Sequence, residues 1–547
     1  MRFSHISIGG GITGLETIIS TFANIEKELK KSKIKRKKLK YKKFIFAIID
    51  KNPENIPGGV AYGFKASRYG YFNNPIRLSP KKFSNWLLKK SKKKKLTNYL
   101  ETYGGYTGKD WLKKNKKILF SSKLNNLKEL YIPRAILNLW MEEKLILLIS
   151  KMKRISKKLS IPFNIKFFKG EVVRINDCKK NYREIIFKNN FCEKLDYQIT
   201  NNPFKRINFK KIKREKKSIF SITQNIGLGL PPPKQLATLK AQKNIHYIWD
   251  FYSQGSTALL IKKISNLNKK KKKLLVYFIG YKAGLLESLP ELTKIIIHNK
   301  IKIKIICSSK NLQGIQKAKF TLGKKMYKLK VFKKKKFLKI RTAKKLYFFI
   351  FKEFKLSISD GYKKYDAWTQ ILENNIIGRC IKNFSEYEKK NYYDTYHTKI
   401  RNITRFTYPE TIAARDKLLK LKILRTKKEV VRKVDTSRNK LIVETINTNN
   451  RLKKYICDLV INVSGPLNAE TIKHEIPLIK SLKNKGAKTI SGGFVVDNKF
   501  QVKGVKNVYT PGVLARGFNP ERKTIIKAIL ENSHKTGQSI AKTLYNI

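Results

Sequence analysis

Cysteine is scarce: five occur in 547 residues, Cys178, Cys192, Cys307, Cys380 and Cys457, and none lies in a CxxC pair. An odd, scattered set argues against a disulfide framework and a cysteine-based zinc site, and it suits a reducing compartment. The six histidines have no close His or Cys partner in sequence, so no metal is expected. Long apolar runs are missing as well. The densest stretch, around Leu145–Ile149, falls far short of the ~20 apolar residues that cross a bilayer. Residues 1–24 have neither the basic start nor the small-residue cleavage site of a secretory signal. The expectation is a soluble, cytoplasmic chain with no membrane partner. No Ser-His-Asp or paired-carboxylate constellation stands out either, so no catalytic residue can be named.

Negative charge is the scarcest resource. Lys and Arg number 123 against 37 Asp and Glu, a formal net charge of +86. A nucleic-acid binder gathers such charge on one face or arm, with aromatics interleaved. Here the basic runs, at 28–43, 89–95, 204–217, 269–273 and 324–336, are spread between apolar segments rich in Ile and Asn. That scatter fits a compositional bias better than a selected surface, and no specific nucleic-acid partner is expected. The field would still draw in anionic ligands and cause salt-dependent sticking to polyanions.

With 41% hydrophobic residues the chain can bury more than one core, and two or three domains are expected. Residues 2–8 alternate apolar and polar, and residues 15–28 place Leu15, Ile18, Ile19, Phe22 and Ile25 at helical spacing. Between them lies Gly9-Gly10-Gly11-Ile12-Thr13-Gly14, a G-x-G-x-x-G turn opening a helix. In such a turn Gly9 permits the tight bend, Gly11 lets a pyrophosphate approach bare backbone, and Gly14 lets helix and strand pack closely. A second strand, residues 44–49, ends at Asp50, the place for a carboxylate that holds ribose hydroxyls. Asp50 stands 36 residues beyond Gly14, where about 20 is usual. The Lys-rich segment 26–43 accounts for the excess as an inserted loop or a helix extension.

The residues that follow carry a resemblance. Gly59-Val60-Ala61-Tyr62-Gly63, then Phe72-Asn73-Asn74-Pro75 with Leu78-Ser79, then Phe83-Ser84-Asn85-Trp86-Leu87 keep the order of a G-x-A-Y-G, an L-N-x-P and an F-x-x-W-L motif. In this the chain resembles FAD/NAD(P)-binding proteins related to the FAD-dependent urate hydroxylase and to amino-acid N-monooxygenases. Tyr131-Ile132-Pro133-Arg134 looks like that family's segment before a helix, and Gly170–Ile175 like the strand lining the adenine. Gly227–Pro233 and Asp458–Pro466 look like its two domain crossings, and Asn507–Gly517 like the closing strand and turn over the flavin. Many two-dinucleotide flavoproteins place an Asp after that last glycine; here Val513 follows Gly512.

The resemblance implies an α/β, two-dinucleotide-binding-domain flavoprotein. A Rossmann-like FAD domain would be built from both chain ends, residues 1–265 and 436–547, with a second Rossmann-like unit or substrate domain inserted at 266–435. FAD would be held by Gly9, Gly11, Thr13, Gly14, Asp50, Tyr62, Gly63, Asn73, Arg134, Val173, Gly512 and Arg516. The implied activity is a flavin-dependent oxidoreductase, an NAD(P)H-linked monooxygenase acting on a small, nitrogen-containing substrate. The alternatives are a basic nucleic-acid-associated protein on a flavoprotein scaffold, or a flavin binder without turnover. Oligomeric state is not legible.

For the second nucleotide, Leu274–Ile279 reads as a strand, Gly280-Tyr281-Lys282-Ala283-Gly284-Leu285 as the turn into a helix, and Ile301–Cys307 as the next strand. Lys282 and Leu285 replace the second and third glycines, and Gly284 restores the turn only if the loop is one residue shorter. NAD(P)H binding depends on that. Residues 310–400 would cover this unit or touch substrate. The Arg401/Arg405 pair ahead of Pro409-Glu410 would either clamp an anionic substrate or brace two domains.

Overall fold

The computed structural model describes residues 1–31, 42–63, 68–121, 127–178, 182–202, 205–215, 219–228, 236–251, 256–281, 283–309, 316–321, 324–333, 336–437, 440–464, 476–490, 493–515 and 525–546. The chain opens with strand β1 (Arg2–Ile8), helix α1 (Ile12–Lys31) and β2 (Phe44–Asp50). The helix continues past the expected residue 28 to Lys31, so part of the Lys-rich excess is helix extension. β3 (Phe163–Lys169), β4 (Val172–Asp177), β5 (Arg183–Phe187), β6 (Cys192–Ile199), β7 (Ile207–Glu215) and β8 (Ile219–Ile226) follow.

These strands form one nine-stranded sheet in the order β4-β5-β8-β1-β2-β3-β6-β7, joined by a strand from the far end of the chain. Its centre is parallel and covered on both faces, and β1 accordingly buries every residue from Phe3 to Ile8. Register fixes what matters for function. Ile8 sits opposite Ile49 of β2 and Ile226 of β8, so Gly9, Asp50 and Gly227 emerge at the same carboxyl edge. In open parallel sheets that edge carries the ligand.

A second, five-stranded parallel sheet uses β9 (Tyr247–Ile248), β10 (Leu274–Ile279), β11 (Ile303–Ser308), β12 (Leu424–Lys427) and β13 (Leu459–Asn462), ordered β12-β11-β10-β13-β9. It draws strands from outside the expected 266–435 insert, because β9 and β13 pair side by side next to β10. Between β11 and β12 lies a helical insert, residues 343–403, with its own core around Ile350, Phe354, Ile371 and Tyr392. A three-stranded antiparallel sheet over residues 429–457 packs against the second unit.

The chain returns to the first sheet through β14 (Val508–Tyr509), parallel to β8. The terminal helix Ile525–Asn546 lies along α1 so closely that a Cβ at Gly537 would come 2.5 Å from Ser20 Cβ. The FAD-type sheet is thus built from both chain ends, as expected. Among the described residues no helix is long and apolar enough to cross a membrane.

Candidate functional site

The site forms where the carboxyl edge of the first sheet meets the start of α1. Gly9 turns the chain with φ +102°, a conformation that favours glycine, and its amide donates to the Ile49 carbonyl at 2.8 Å. A Cβ on Gly14 would lie 2.3 Å from both the Gly9 carbonyl oxygen and Ser7 Oγ, so helix and strand touch here as the fingerprint requires. α1 has no acidic residue in its first turn, and among the described residues the Ile12 and Thr13 amides donate to no protein acceptor. Free amides at the positive end of a 20-residue helix are an anion site.

Asp50 closes one side. Its Oδ2 accepts the Gly10 amide at 2.7 Å and Oδ1 the Asn52 amide at 2.8 Å. Burial raises its pKa, opposed by these two hydrogen bonds and by Lys51. The long spacing therefore did not displace the carboxylate from the glycine turn. Gly170, just before β4, donates its amide to the Asp50 carbonyl at 3.1 Å, which sets half-buried Val173 a few residues from the same edge.

Two crossings converge on Thr13, which is 6% exposed. A Cβ on Gly227 would meet Thr13 Cβ at 3.3 Å, and one on Gly512 would meet Thr13 Oγ1 at 3.0 Å. The exit from the first sheet and the chain-end turn thus both pack on the first turn of α1.

Gly11 has a second bare backbone beside it. It faces Gly59 (φ +67°), whose Cα would lie 3.4 Å from a Cβ on Gly11. Two bare backbones close on each other there, giving a narrow cradle rather than an open face. Gly63 tightens the same loop, donating to the Gly59 carbonyl at 2.8 Å, and Tyr62 stacks on Phe72 at 6.0 Å.

Two expected residues are engaged elsewhere. Asn73 Oδ1 accepts the Thr407 hydroxyl at 3.1 Å. Arg134, the cap of α3 (Ala135–Leu159), donates through Nε to the Tyr71 carbonyl at 3.0 Å and pairs with Glu287 at 2.6 Å. Arg516, Gly229–Pro233, Lys282 and Gly465–Pro466 lie outside the described residues.

At the second sheet, Gly280 turns with φ +104° and α4 (Ala283–His298) begins three residues later. A Cβ on Gly284 would come 2.7 Å from Val463 Cγ1, so the start of α4 packs closely on the crossing just after β13, while Leu285 enters the core. α4 also docks onto the first unit through residues that sequence reasoning missed: Glu287 reaches Arg134, and Glu291 accepts the Tyr106 and Thr107 amides at 3.0 and 2.8 Å, capping α2 (Gly105–Phe120). Lys294 pairs with Asp110. A Glu-Glu-Lys ladder at one helix face was the available signal, legible only with the partner known.

A cleft of about 1300 Å³ opens between the first unit and the helical insert, lined by Arg77, Glu129, Tyr131, Asp366, Tyr408 and Glu410 among others. Arg77 lies 3.5 Å over the Phe320 ring and 3.4 Å from Glu129, and the Tyr131 hydroxyl donates to the Ala318 carbonyl. Of the arginine pair, Arg401 is exposed and Arg405 half-buried, the latter offering its carbonyl to the Gln316 amide at 2.8 Å.

The whole chain superposes on solved flavoproteins. It is similar to an ornithine N-hydroxylase of Kutzneria sp. 744, at TM-score 0.52 and 9% identity over 99% of both chains. It is similar also to the reduced ornithine hydroxylase of Pseudomonas aeruginosa, at TM-score 0.52 and 10% identity over the full length of both. The fold is that of a two-dinucleotide-binding-domain flavoprotein. No family model matches the sequence, and no curated protein matches it.

Proposed function

We propose that the protein is an FAD-dependent, NAD(P)H-linked monooxygenase that hydroxylates a small, nitrogen-containing molecule. The observation that carries this reading is the convergence of the Gly9–Gly14 turn, Asp50, Gly227 and Gly512 on the first turn of α1. The residues fit a flavin dinucleotide: the Ile12 and Thr13 amides would take its diphosphate, and Asp50, whose carboxylate keeps acceptor capacity beyond two amides, would take ribose hydroxyls. FAD supplies, when bound, the redox and oxygen chemistry, and the protein supplies position and exclusion of water. The turn at Gly280 and the close packing of Gly284 favour NAD(P)H at the start of α4. The Kutzneria ornithine N-hydroxylase, in a structure with reduced FAD, NADP⁺ and L-ornithine, shares the fold and supports the assignment to N-hydroxylation. The large cleft beside the helical insert would admit the substrate.

The test is direct. Purified protein should carry a flavin spectrum that NADPH bleaches without oxygen, and with oxygen and ornithine or a related amine it should form a hydroxylamine. A colourless protein that takes up no added FAD would defeat the proposal.

A further inference from the structure

The cleft of about 1300 Å³ exceeds the roughly 300–1,000 Å³ of an ordinary small-molecule site. Eight lysines and one arginine stand against four carboxylates in its lining, a net +5. Lys81, Lys114 and Lys128 belong to the first unit; Lys317, Lys319 and Lys325 come from the segments ahead of the helical insert. All six are exposed, and none has an ion-pair partner among the described residues. The carboxylates are engaged: Glu129 with Arg77 at 3.4 Å, Asp366 with the Thr321 hydroxyl at 2.7 Å, Glu373 with Gln370 Nε2 at 3.4 Å, and Glu410 with the Tyr408 hydroxyl.

A chain of net charge +86 carries lysines on every surface, so their number alone decides nothing. Concavity and fixation set this place apart. A cleft lined by one sign of charge focuses its field. The lysine-bearing segments are also held from within. Glu353, fully buried, accepts the Tyr327 hydroxyl at 2.7 Å and the Lys330, Val331 and Phe332 amides at 2.8, 2.8 and 3.1 Å. Asp366, which takes the Thr321 hydroxyl, also accepts the Lys363 amide at 2.9 Å and so ties the other segment to the insert. A backbone already ordered loses less on binding than a free loop. Between the lysines, half-buried Tyr131 and Phe320 and exposed Met326 offer apolar surface. An occupant matching this lining joins several negative charges to an apolar body.

We propose that the cleft binds an organic polyanion, a molecule carrying several phosphate, sulfate or carboxylate groups on an apolar body larger than a free amino acid. Binding of this kind does not depend on flavin; that such a molecule also carries the nitrogen to be hydroxylated rests on the proposed function.

The probe is pyrene-1,3,6,8-tetrasulfonate, followed by fluorescence anisotropy in the full-length protein with FAD and NADP⁺ in excess to occupy the dinucleotide sites. One saturable site is expected. Lys317→Gln, Lys319→Gln and Lys325→Gln together should weaken it about tenfold or more at low salt. The same loss of charge at Lys269, Lys270 and Lys272, exposed lysines outside the cleft, should weaken it less than about twofold. Met326→Ser, which leaves the charge intact, should weaken it about threefold. Equal weakening by the two lysine triples would leave only the general field of the chain and overturn the proposal. Affinity unaltered by Met326→Ser, or no saturable binding, would overturn it too. A protein that takes up no FAD yet binds the probe in this pattern would defeat the hydroxylase reading and leave this site standing.

Discussion

Glu287 of α4 and Arg134 at the head of α3 meet at 2.6 Å across the two sheet units, their side chains 11% and 12% exposed. The pair joins the second nucleotide-type helix to the motif that sequence reading assigned to the flavin. Four residues further on, Glu291 caps α2, so one face of α4 fixes how the units sit. Removing one end strands a buried charge. Glu287→Gln should cost about 3 kcal/mol of stability, and Arg134→Met combined with it should cost much less than the sum of the singles. Denaturant melts of the four proteins check this; strict additivity would show that the pair does not couple.

Gly11 and Gly14 should fail in different ways. A Cβ at Gly14 would collide at 2.3 Å with the backbone oxygen of Gly9, so Gly14→Ala should destabilise the protein by about 2 kcal/mol or more and lose flavin with the fold. At Gly11 a Cβ would meet Gly59 Cα at 3.4 Å, an ordinary contact. Gly11→Ala should therefore melt like the parent but retain less FAD. Flavin content and melting temperature, measured together, separate the two.

Asp50→Ala should reduce FAD affinity about tenfold, the scale of a lost charge-assisted hydrogen bond, with the protein still folded. The pH dependence has a definite sign. Burial raises this carboxyl's pKa above its ordinary 3.8, so Asp50's contribution to stability is greatest below that value and declines as pH rises through the folded pKa. Asp50→Asn should flatten that part of the stability profile, and an unaltered profile would count against the burial assigned to it.

His5 provides the opposite sign. It is fully buried in β1, its ring nitrogens 3.0 Å from Thr223 Oγ1 and 2.8 Å from Asn225 Oδ1, and burial lowers its pKa from 6.5 to about 4. The neutral ring contributes stability that is complete above pH 6.5 and is lost as pH falls towards 4, about 3 kcal/mol in all. Melting temperature against pH for His5→Gln should lack this acid-side slope.

Much of this was legible in the chain. β1, β2 and β10 lie where alternation and apolar runs place them, and the glycine turn opens a helix as its spacing requires. Asp50 reaches that turn despite the long connection, because parallel register and not sequence distance decides where β2 ends. Two strands of the second sheet lie outside residues 266–435: β9 is two residues long and β13 four, too short for a pattern, and only the pairing of β13 with β10 and of β9 with β13 assigns them to that sheet.

What the sequence determined by itself is whatever a few consecutive residues settle: a turn only glycine makes easily, strands apolar enough to be covered on both faces, an acid at a strand's end. What the tertiary structure alone decided is partnership. Gly59 closing over Gly11 and Glu287 claiming Arg134 join residues 48 and 153 positions apart. Contacts of that kind depend on how packed elements present their faces, and no local pattern encodes them.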